Sequence, residues 1–197
     1  MSQFIESIKV EDQKAFLLDL HQQRVRETFA HFGKECSIDL EKIFKDLEHD
    51  EDGLYKLRIV YDLEGNFKTQ MLPYAFPEIE TFELVENNDF SYDFKFADRT
   101  EFEKMKKKAR AQEIIIVKNG QITDTSFSNL LFLKNQTWYT PKSFLLNGVQ
   151  RQNLLKQGII KETEITLQNL NEFSHFQLIN SMNEFNQDFV YSIDELK

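Results

Sequence analysis

Lys95 is the first residue whose type and setting could do chemistry, because it stands between Phe94 and Phe96. In an extended segment, successive side chains lie on opposite faces, so the amine is predicted to lie away from both rings. A lysine amine that loses contact with water has a lowered pKa and forms Schiff bases with carbonyl compounds. Most lysines simply face solvent, and the residues alone leave both interpretations open.

Asp124 is the second candidate, within the polar stretch from Gly120 to Asn129. A carboxylate there could face a cationic partner such as a pyridinium nitrogen and hold its charge. The same stretch contains Asp, Ser, Thr and Asn, which also build ordinary polar loops by bonding to their own backbone. Both interpretations stay open at this point.

A third group of residues could bind an anion. Gly148 precedes a helix predicted over 149–157. The first N–H groups of a helix, with the helix dipole behind them, attract phosphate. Arg24, in the run from His21 to Arg24, could add a bidentate contact. The alternatives are an ordinary helix start and a surface arginine.

The glycine and cysteine counts exclude several other sites. The chain has six glycines, and no two of them lie within nine residues of each other. Dinucleotide fingerprints, glycine-rich phosphate loops and nucleophile elbows all need closer glycines. The single cysteine, Cys36, allows neither a C-x-x-C motif nor an internal disulfide, and we interpret it as a packing residue. Any phosphate would therefore be held by a helix start and an arginine.

Length, charge and hydropathy set the class of protein. The chain has 197 residues, a net charge of −9 and 41% hydrophobic residues, which predicts a globular protein with its own core. The acidic balance argues against a nucleic-acid partner, and we interpret the basic run over 104–110 as a solvated helix face. No apolar run reaches the roughly 20 residues of a membrane span. Without a recognisable secretion signal, we expect a cytoplasmic protein with no membrane partner.

Hydrophobic periodicity predicts the elements that must position these residues. In the first half it predicts a strand over 4–10, a helix over 17–32 ended by Gly33, a second helix with its N-cap at Ser37, and a hairpin of strands 54–63 and 67–74. In the second half it predicts a strand over 91–96, a helix over 99–112, strands over 113–118, 129–133 and 136–139, the helix over 149–157, and strands over 162–167, 176–180 and 189–193. The segment 78–88 is predicted to connect the halves.

Strands and helices that mix without regular βαβ alternation predict an α+β fold in two lobes. We place a small N-terminal α/β lobe over residues 1–86. A larger C-terminal mixed lobe, over residues 87–197, would carry Lys95.

Taken together and in order, these motifs resemble the class IV aminotransferase family, the pyridoxal-phosphate enzymes with the fold of D-amino-acid and branched-chain aminotransferases. The resemblance covers almost the whole chain. It is most specific in Ile122-Thr-Asp-Thr-Ser-Phe-Ser-Asn129, Trp138-Tyr-Thr-Pro141 and Leu146-Asn-Gly-Val-Gln-Arg151. Upstream, Phe4-Ile5-Glu6-Ser7 and His21-x-x-Arg24 resemble the family's F-E-T strand and H-x-x-R-L helix, and Leu178-Ile-Asn-Ser-Met182 resembles a late phosphate-side strand.

The resemblance implies a site for pyridoxal 5'-phosphate, with no metal. Lys95 matches the Schiff-base lysine, which also moves the proton at the substrate α-carbon. Asp124 stands where the family usually has Glu, the partner of the pyridine nitrogen. The cofactor-binding residues that the resemblance implies are Arg24, Lys95, Asp124, Asn129, Gly148, Val149, Gln150 and Ser181. It also implies a small amino substrate and a homodimer.

Within the family, Lys95-Phe-Ala-Asp-Arg99 resembles the K-x-x-N-R pattern of aminodeoxychorismate lyase, which eliminates pyruvate to release 4-aminobenzoate for folate synthesis. Thr100 stands where many aminotransferases have Tyr, and Asn180-Ser181-Met182 also favours the lyase. An aminotransferase acting on D- or branched-chain amino acids is the alternative.

Three departures from the family pattern keep a non-catalytic, cofactor-binding descendant as a further alternative. The chain starts three residues before Phe4, so the family's usual first strands and Y-G-D-G segment are not present in it. Asp124 is one methylene shorter than the usual Glu. Gln150 replaces a common Thr and removes a hydroxyl contact to phosphate.

Overall fold

A computed structural model describes residues 2–48, 52–186 and 189–196 of the chain. The chain folds into two compact units, of which the first is Met1–Phe76 with Phe94–Asp98 and the second is Pro77–Asp93 with Arg99–Lys197. Lys95 therefore packs as part of the first unit, whereas the sequence prediction counted it with the second lobe. Within the described ranges, no helix has the length and apolar character needed to span a bilayer.

The first unit is an antiparallel sheet with two helices. In chain order it contains β1 (Gln3–Glu11), β2 (Lys14–Ala15), α1 (Leu18–His31), α2 (Leu40–Lys45), β3 (Leu54–Asp62) and β4 (Phe67–Pro73). The strand order is β2-β1-β3-β4. β1 pairs with β3 along its whole length, from Gln3 opposite Asp62 to Glu11 opposite Leu54.

Alternation along β1 explains the core of this unit. Phe4 and Ile8 are buried on one face of the strand and pack in one cluster with Val25 and Phe29 of α1. Glu6 occupies the same buried face and has no exposed surface. A carboxylate therefore lies inside the core, where it needs a partner.

α1 ends where the sequence predicts, at Gly33. This glycine has a φ of 66°, and its N–H donates to the carbonyl of Ala30 at 3.0 Å. The N–H of Lys34 donates to the carbonyl of Phe29 at 3.0 Å. This pair of bonds is the Schellman arrangement, in which a left-handed residue ends the helix and satisfies its last carbonyls.

The predicted N-cap of the second helix, Ser37, is wrong. Asp39 caps α2 instead, because its carboxylate accepts the N–H of Lys42 at 3.0 Å. The cause is tertiary, since the side-chain amide of Gln22 on α1 both donates to and accepts from the backbone over 38–40. These two bonds set where α2 can begin.

The strand predicted over 91–96 is also wrong. The N–H of Ile5 donates to the carbonyl of Lys95 at 2.9 Å, and a single isolated bridge joins Phe4 to Phe96. The residues before Phe94 pack in the second unit, so only a short segment can add to β1. The backbone at Lys95 is nevertheless fixed by pairing with β1.

The second unit contains two sheets. In chain order its elements are β5 (Phe82–Glu86), α3 (Thr100–Lys108), β6 (Glu113–Lys118), β7 (Gln121–Thr125), β8 (Asn129–Lys134), β9 (Thr137–Pro141), α4 (Val149–Lys156), β10 (Lys161–Thr163), β11 (His175–Ile179) and β12 (Tyr191–Ser192), with short 3-10 helices at Leu170–Glu172 and Ile193–Leu196. One sheet has the order β5-β6-β7, and the other has the order β10-β9-β8-β11-β12. Phe82, Ile115, Phe132 and Phe176 form part of a core cluster built from both sheets.

Two predictions for this unit need correction, and one interpretation that the sequence leaves open is decided. The segment 78–88 contains a strand, β5, which pairs in parallel with β6. Parallel partners are joined by long crossovers, so the local pattern did not reveal the pairing. α3 ends at Lys108, before the predicted end at residue 112, because the backbone is extended at Ala109. The stretch 120–129 is not a simple loop, because β7 carries Asp124 within a strand.

Candidate active site

Lys95 is half-buried, and its two neighbours in sequence, Phe94 and Phe96, have packed aromatic rings. Phe96 stacks on Phe4 with 5.2 Å between ring centroids, and Phe94 packs 4.5 Å from the ring of His31. The ring contacts and the hydrogen bond to β1 fix this part of the backbone. A rigid backbone is what a covalently acting lysine requires, since its amine must return to one place.

A buried polar cluster in the first unit joins Glu6, His21 and Arg24. The Nε of Arg24 donates to Oε1 of Glu6 at 2.9 Å, and its Nη2 donates to Oε2. The Nδ1 of His21 lies 2.5 Å from the same Oε2. Burial alone would raise the pKa of Glu6, but the Arg24 charge and the His21 contacts lower it to about 2. Glu6 is therefore ionised at neutral pH.

His21 is neutral in this cluster. Burial lowers its pKa, the bond and the charge of Glu6 act in the opposite direction, and the charges of Arg24 and Lys95 lower it further. An ionised Glu6 can only accept hydrogen bonds, so Nδ1 of His21 carries the proton and Nε2 is left as an acceptor. Among the described residues, that Nε2 atom has no hydrogen-bond partner.

Asp124 lies on β7, is 6% exposed and accepts three hydrogen bonds. The Nδ2 of Asn129 donates to its Oδ1 at 2.8 Å, and the N–H groups of Leu145 and Leu146 both donate to its Oδ2 at 2.9 Å. Burial raises the pKa of Asp124 to about 6, because desolvation outweighs these donors and the charge of Arg151. A carboxylate offers about four acceptor positions, so one remains on Oδ1.

This raised pKa makes a prediction for the cofactor-free protein. The pKa of Asp124 is about 6 in the fold against an ordinary value of 3.8, so the unfolded chain loses the proton first as pH rises. The favourable contribution of Asp124 to the free energy of unfolding is therefore complete below 3.8 and is lost as pH rises to about 6. The loss should be at most about 3 kcal/mol.

Asp124→Asn cannot ionise and should lack this pH dependence. Urea unfolding of both proteins from about pH 4 to about pH 7 measures the difference. Stability curves for Asp124→Asn and the natural chain that stay parallel over this range would contradict the prediction.

The start of α4 offers backbone donors. Gly148 is its N-cap, with no side-chain cap bond. The N–H groups of Val149 and Gln150 take part in none of the hydrogen bonds found among the described residues. Both side chains are buried, at 2% and 4% exposed. The first N–H groups of a helix have no partner within the helix, so this end is chemically ready for an anion.

Arg151 follows them and is only 2% exposed. Its Nη2 donates to the carbonyl of Pro141 at 3.1 Å and to Glu162, and its Nη1 donates to Oδ1 of Asn147 at 3.0 Å. The guanidinium also lies 4.5 Å from the ring of Phe144. Arg151 thus holds the loop before α4 against β9 and β10.

The backbone just after Asp124 is held from two sides. The buried carboxylate of Glu113 accepts the N–H of Ser126 at 2.8 Å and pairs with Lys106. The guanidinium of Arg99 donates to the carbonyl of Ser126 and lies 4.2 Å from the ring of Phe102. These contacts fix the turn between β7 and β8.

Ser181 lies in a turn that follows β11. The Oδ1 of Asn180 accepts the N–H groups of Met182 and Asn183 at 2.8 and 3.0 Å. Its Nδ2 donates to Oγ of Ser128 at 3.0 Å, so the turn is tied to the segment between β7 and β8.

Within the second unit, the structure brings together five of the predicted site residues, namely Asp124, Asn129, Gly148, Val149 and Gln150. Within the first unit, Arg24 and Lys95 both act on His21. Sequence reasoning did not single out Glu6, Glu113 or Arg151 as buried charges. One signal could have found Glu6: it shares the inward parity of Phe4 and Ile8 on β1, where a charge is unexpected.

Comparison with known proteins finds a family model that matches most of the chain. The model of the family described as amino-transferase class IV matches residues 3–186. A Haemophilus influenzae protein of uncharacterized function is 30% identical over 187 residues, which is 93% of this chain and 99% of that protein.

Two solved structures extend the comparison. A Haemophilus somnus protein, assigned provisionally as a 4-amino-4-deoxychorismate lyase, is 34% identical and aligns with a TM-score of 0.86 over 94% of this chain and 98% of its own. The branched-chain amino acid aminotransferase of Escherichia coli is 15% identical, with a TM-score of 0.71 over 93% of this chain and 75% of its own. The second likeness concerns the fold alone.

Proposed function

Because this chain belongs to the class IV aminotransferase family, whose members are pyridoxal-phosphate enzymes, we propose that it is an aminodeoxychorismate lyase that releases pyruvate and 4-aminobenzoate. The observation that carries this proposal is the 34% identity to the Haemophilus somnus protein over nearly the whole of both chains. The Lys95 to Arg99 pattern supports the same activity within the family.

The residues present fit pyridoxal phosphate. Asp124 has one acceptor position left on a buried carboxylate, which suits a ring N–H. Val149 and Gln150 present N–H groups at a helix start, which suit a phosphate. When bound, this cofactor supplies an electron sink for charge that develops at the substrate α-carbon.

Lys95 would hold the cofactor through its amine and carry the proton to and from the substrate α-carbon. Its charge contributes to lowering the pKa of His21, which indicates that the Lys95 amine lies near that buried ring. The amine reacts in its neutral form, because a protonated amine has no lone pair to attack a carbonyl carbon.

Asp124 would accept the ring N–H and keep the ring positively charged. A nearby cation favours the ionised form of a carboxyl group. The raised pKa of Asp124, about 6 without the cofactor, would then fall on binding. Asp124 thus prefers a cationic partner for a physical reason, because its hydrogen bonds and the charge of Arg151 compensate only part of the cost of its burial.

Arg24 and the start of α4 would bind the phosphate, the first through charge and the second through backbone N–H groups. Arg24 already pairs with Glu6, which orients the guanidinium within the core of its unit. Gln150 brings no hydroxyl to this role, so its backbone N–H is the group we propose as the ligand. Ser181 is proposed as a further phosphate ligand from the resemblance.

We also propose a homodimer, a cytoplasmic location and a role in supplying 4-aminobenzoate for folate synthesis. The resemblance supports the first and third of these. The single cysteine, which allows no internal disulfide, supports the second.

The test is an activity assay on protein loaded with pyridoxal phosphate. Aminodeoxychorismate is supplied alone, and in parallel D- and branched-chain amino acids are supplied with 2-oxoglutarate. We expect pyruvate and 4-aminobenzoate in equal amounts from the first mixture and no amino-group transfer in the second. Transfer without pyruvate release would replace the lyase with an aminotransferase, and turnover of neither mixture would favour a non-catalytic descendant.

A further inference from the structure

Asn129 stands at a junction in the second unit. It is the first residue of β8 and is 7% exposed. Its Nδ2 donates to Oδ1 of Asp124 at 2.8 Å and to the carbonyl of Leu146 at 2.8 Å. A side-chain amide has two N–H donors, so both are used within the protein. No donor of Asn129 remains for a ligand.

The same side chain packs against the cap of α4. A Cβ built on Gly148 would lie 2.1 Å from Oδ1 of Asn129. Gly148 has a φ of −65°, which any residue adopts, so its conformation does not require glycine. What requires glycine is the close approach of the Asn129 amide to the backbone at the helix start.

The loop between them is tied to Asp124 as well. Oδ2 of Asp124 accepts hydrogen bonds from the N–H groups of Leu145 and Leu146. The Nδ2 of Asn129 donates to the carbonyl of Leu146. Leu146 is therefore held at both its N–H and its C=O, two residues before Gly148. Asp124, Asn129 and the 145–148 loop form one hydrogen-bonded unit.

We propose that Asn129 is a positioning residue that joins the proposed ring-nitrogen partner, Asp124, to the proposed phosphate-binding start of α4. This inference rests on the proposed function. The ring and the phosphate of pyridoxal phosphate are joined by a short methylene ester link of limited span, so the distance between their two protein partners must stay within a narrow range. Asn129 sets that distance from inside the protein and touches neither end of the cofactor.

This role has a consequence that a direct ligand would not have. Loss of the Asn129 amide should weaken the binding of inorganic phosphate, which has no ring, and of pyridoxal, which has no phosphate. A direct contact to the ring would affect pyridoxal alone.

The experiment measures binding of inorganic phosphate and of pyridoxal separately to cofactor-free protein, by titration calorimetry and by amide chemical shifts. We expect Asn129→Ala to weaken both by at least about tenfold. Gly148→Ala should weaken the binding of phosphate in the same way, because the added methyl group displaces the side-chain amide of Asn129. Asn153→Ala, which removes an amide from the exposed side of α4, is the matched control and should change neither.

A reversed pair guards against a variant that merely fails to fold. Asn129→Asp places two carboxylates face to face and should lose both ligands. Asp124→Asn combined with Asn129→Asp restores one donor and one acceptor between the two positions but leaves a carboxylate facing the carbonyl of Leu146, and should therefore recover part of the phosphate affinity and none of the pyridoxal affinity. Thermal unfolding of each variant confirms that the compared proteins are folded.

The outcomes separate this inference from the proposed function. If the natural chain binds both probes but Asn129→Ala weakens pyridoxal alone, Asn129 is a ring ligand and the inference is overturned, while the proposed function stands. If Asn129→Ala leaves both affinities unchanged, the inference is likewise overturned. If the natural chain takes up no pyridoxal phosphate at all, both proposals are overturned together.

Discussion

Lys95→Ala should bind pyridoxal phosphate without covalent attachment and should lose at least about a thousandfold in turnover, because the variant lacks both the reactive amine and the proton carrier. Reduction of the loaded protein with borohydride, followed by mass spectrometry of its peptides, shows which lysine is modified. In the natural chain we expect the modification on the peptide that contains Lys95. Activity toward the substrate proposed above gives the second readout.

Two variants make this prediction specific. Lys95→Arg keeps the positive charge beside His21 but cannot form the covalent link, so it should be as inactive as alanine. Lys34→Ala removes an exposed lysine of the same unit and should keep full attachment and turnover. Modification of another lysine in Lys95→Ala, with activity retained, would contradict the assignment of Lys95.

The second large effect concerns stability. Glu6→Gln should lower the free energy of unfolding by about 3–5 kcal/mol, because it removes the carboxylate that pairs with the buried guanidinium of Arg24. Both residues are almost inaccessible, at 0% and 7% exposed, so water cannot replace the lost carboxylate. Urea unfolding of the two proteins near neutral pH measures the difference.

The Glu6–Arg24 pair also predicts how the stability of the natural chain changes at acid pH. The pKa of Glu6 is about 2 in the fold against an ordinary value of 4.5, so its ionised form is favoured by folding. The stability that it contributes is present above 4.5 and is lost as pH falls toward about 2. Glu6→Gln should lack this part of the acid dependence.

A matched control and a compensating change are both available. Glu27→Gln alters an exposed glutamate on α1, which accepts a hydrogen bond from Gln23 at 2.7 Å, and should change stability by less than about 0.5 kcal/mol. Glu6→Gln combined with Arg24→Met removes both charges and should recover much of the loss. A Glu6→Gln protein as stable as the Glu27→Gln control would contradict a stabilising role for the buried pair.

The family and the fold class could be predicted from local patterns, and both predictions are confirmed. Some features depend only on neighbouring residues and can therefore be predicted from one sequence. They include the alternation along β1, the helical spacing before Gly33 and the turn at Gly120. The order of the motifs around Lys95, Asp124 and Gly148 then identified the family. The roles of those residues stay predictions.

Errors arose where a distant contact decides the local structure. Ser37 is a reasonable cap by residue type, but Gln22 on another helix moves the start of α2 to Asp39. β5 exists because β6 lies beside it, on the far side of a crossover. A local pattern contains no information on either partner, and that is why these two predictions failed.

The chemistry available to this chain follows from residue types at given spacings: a lysine amine, a carboxylate and a helix start are recognisable before any fold is known. The charge states of the buried groups follow only from the tertiary contacts. Burial and three N–H donors decide the charge state of Asp124, and burial, against the opposing effect of Glu6, keeps His21 neutral by lowering its pKa. Desolvation and hydrogen bonding depend on what surrounds a group in space, and for Asp124 the hydrogen-bond donors come from residues up to 22 positions away along the chain.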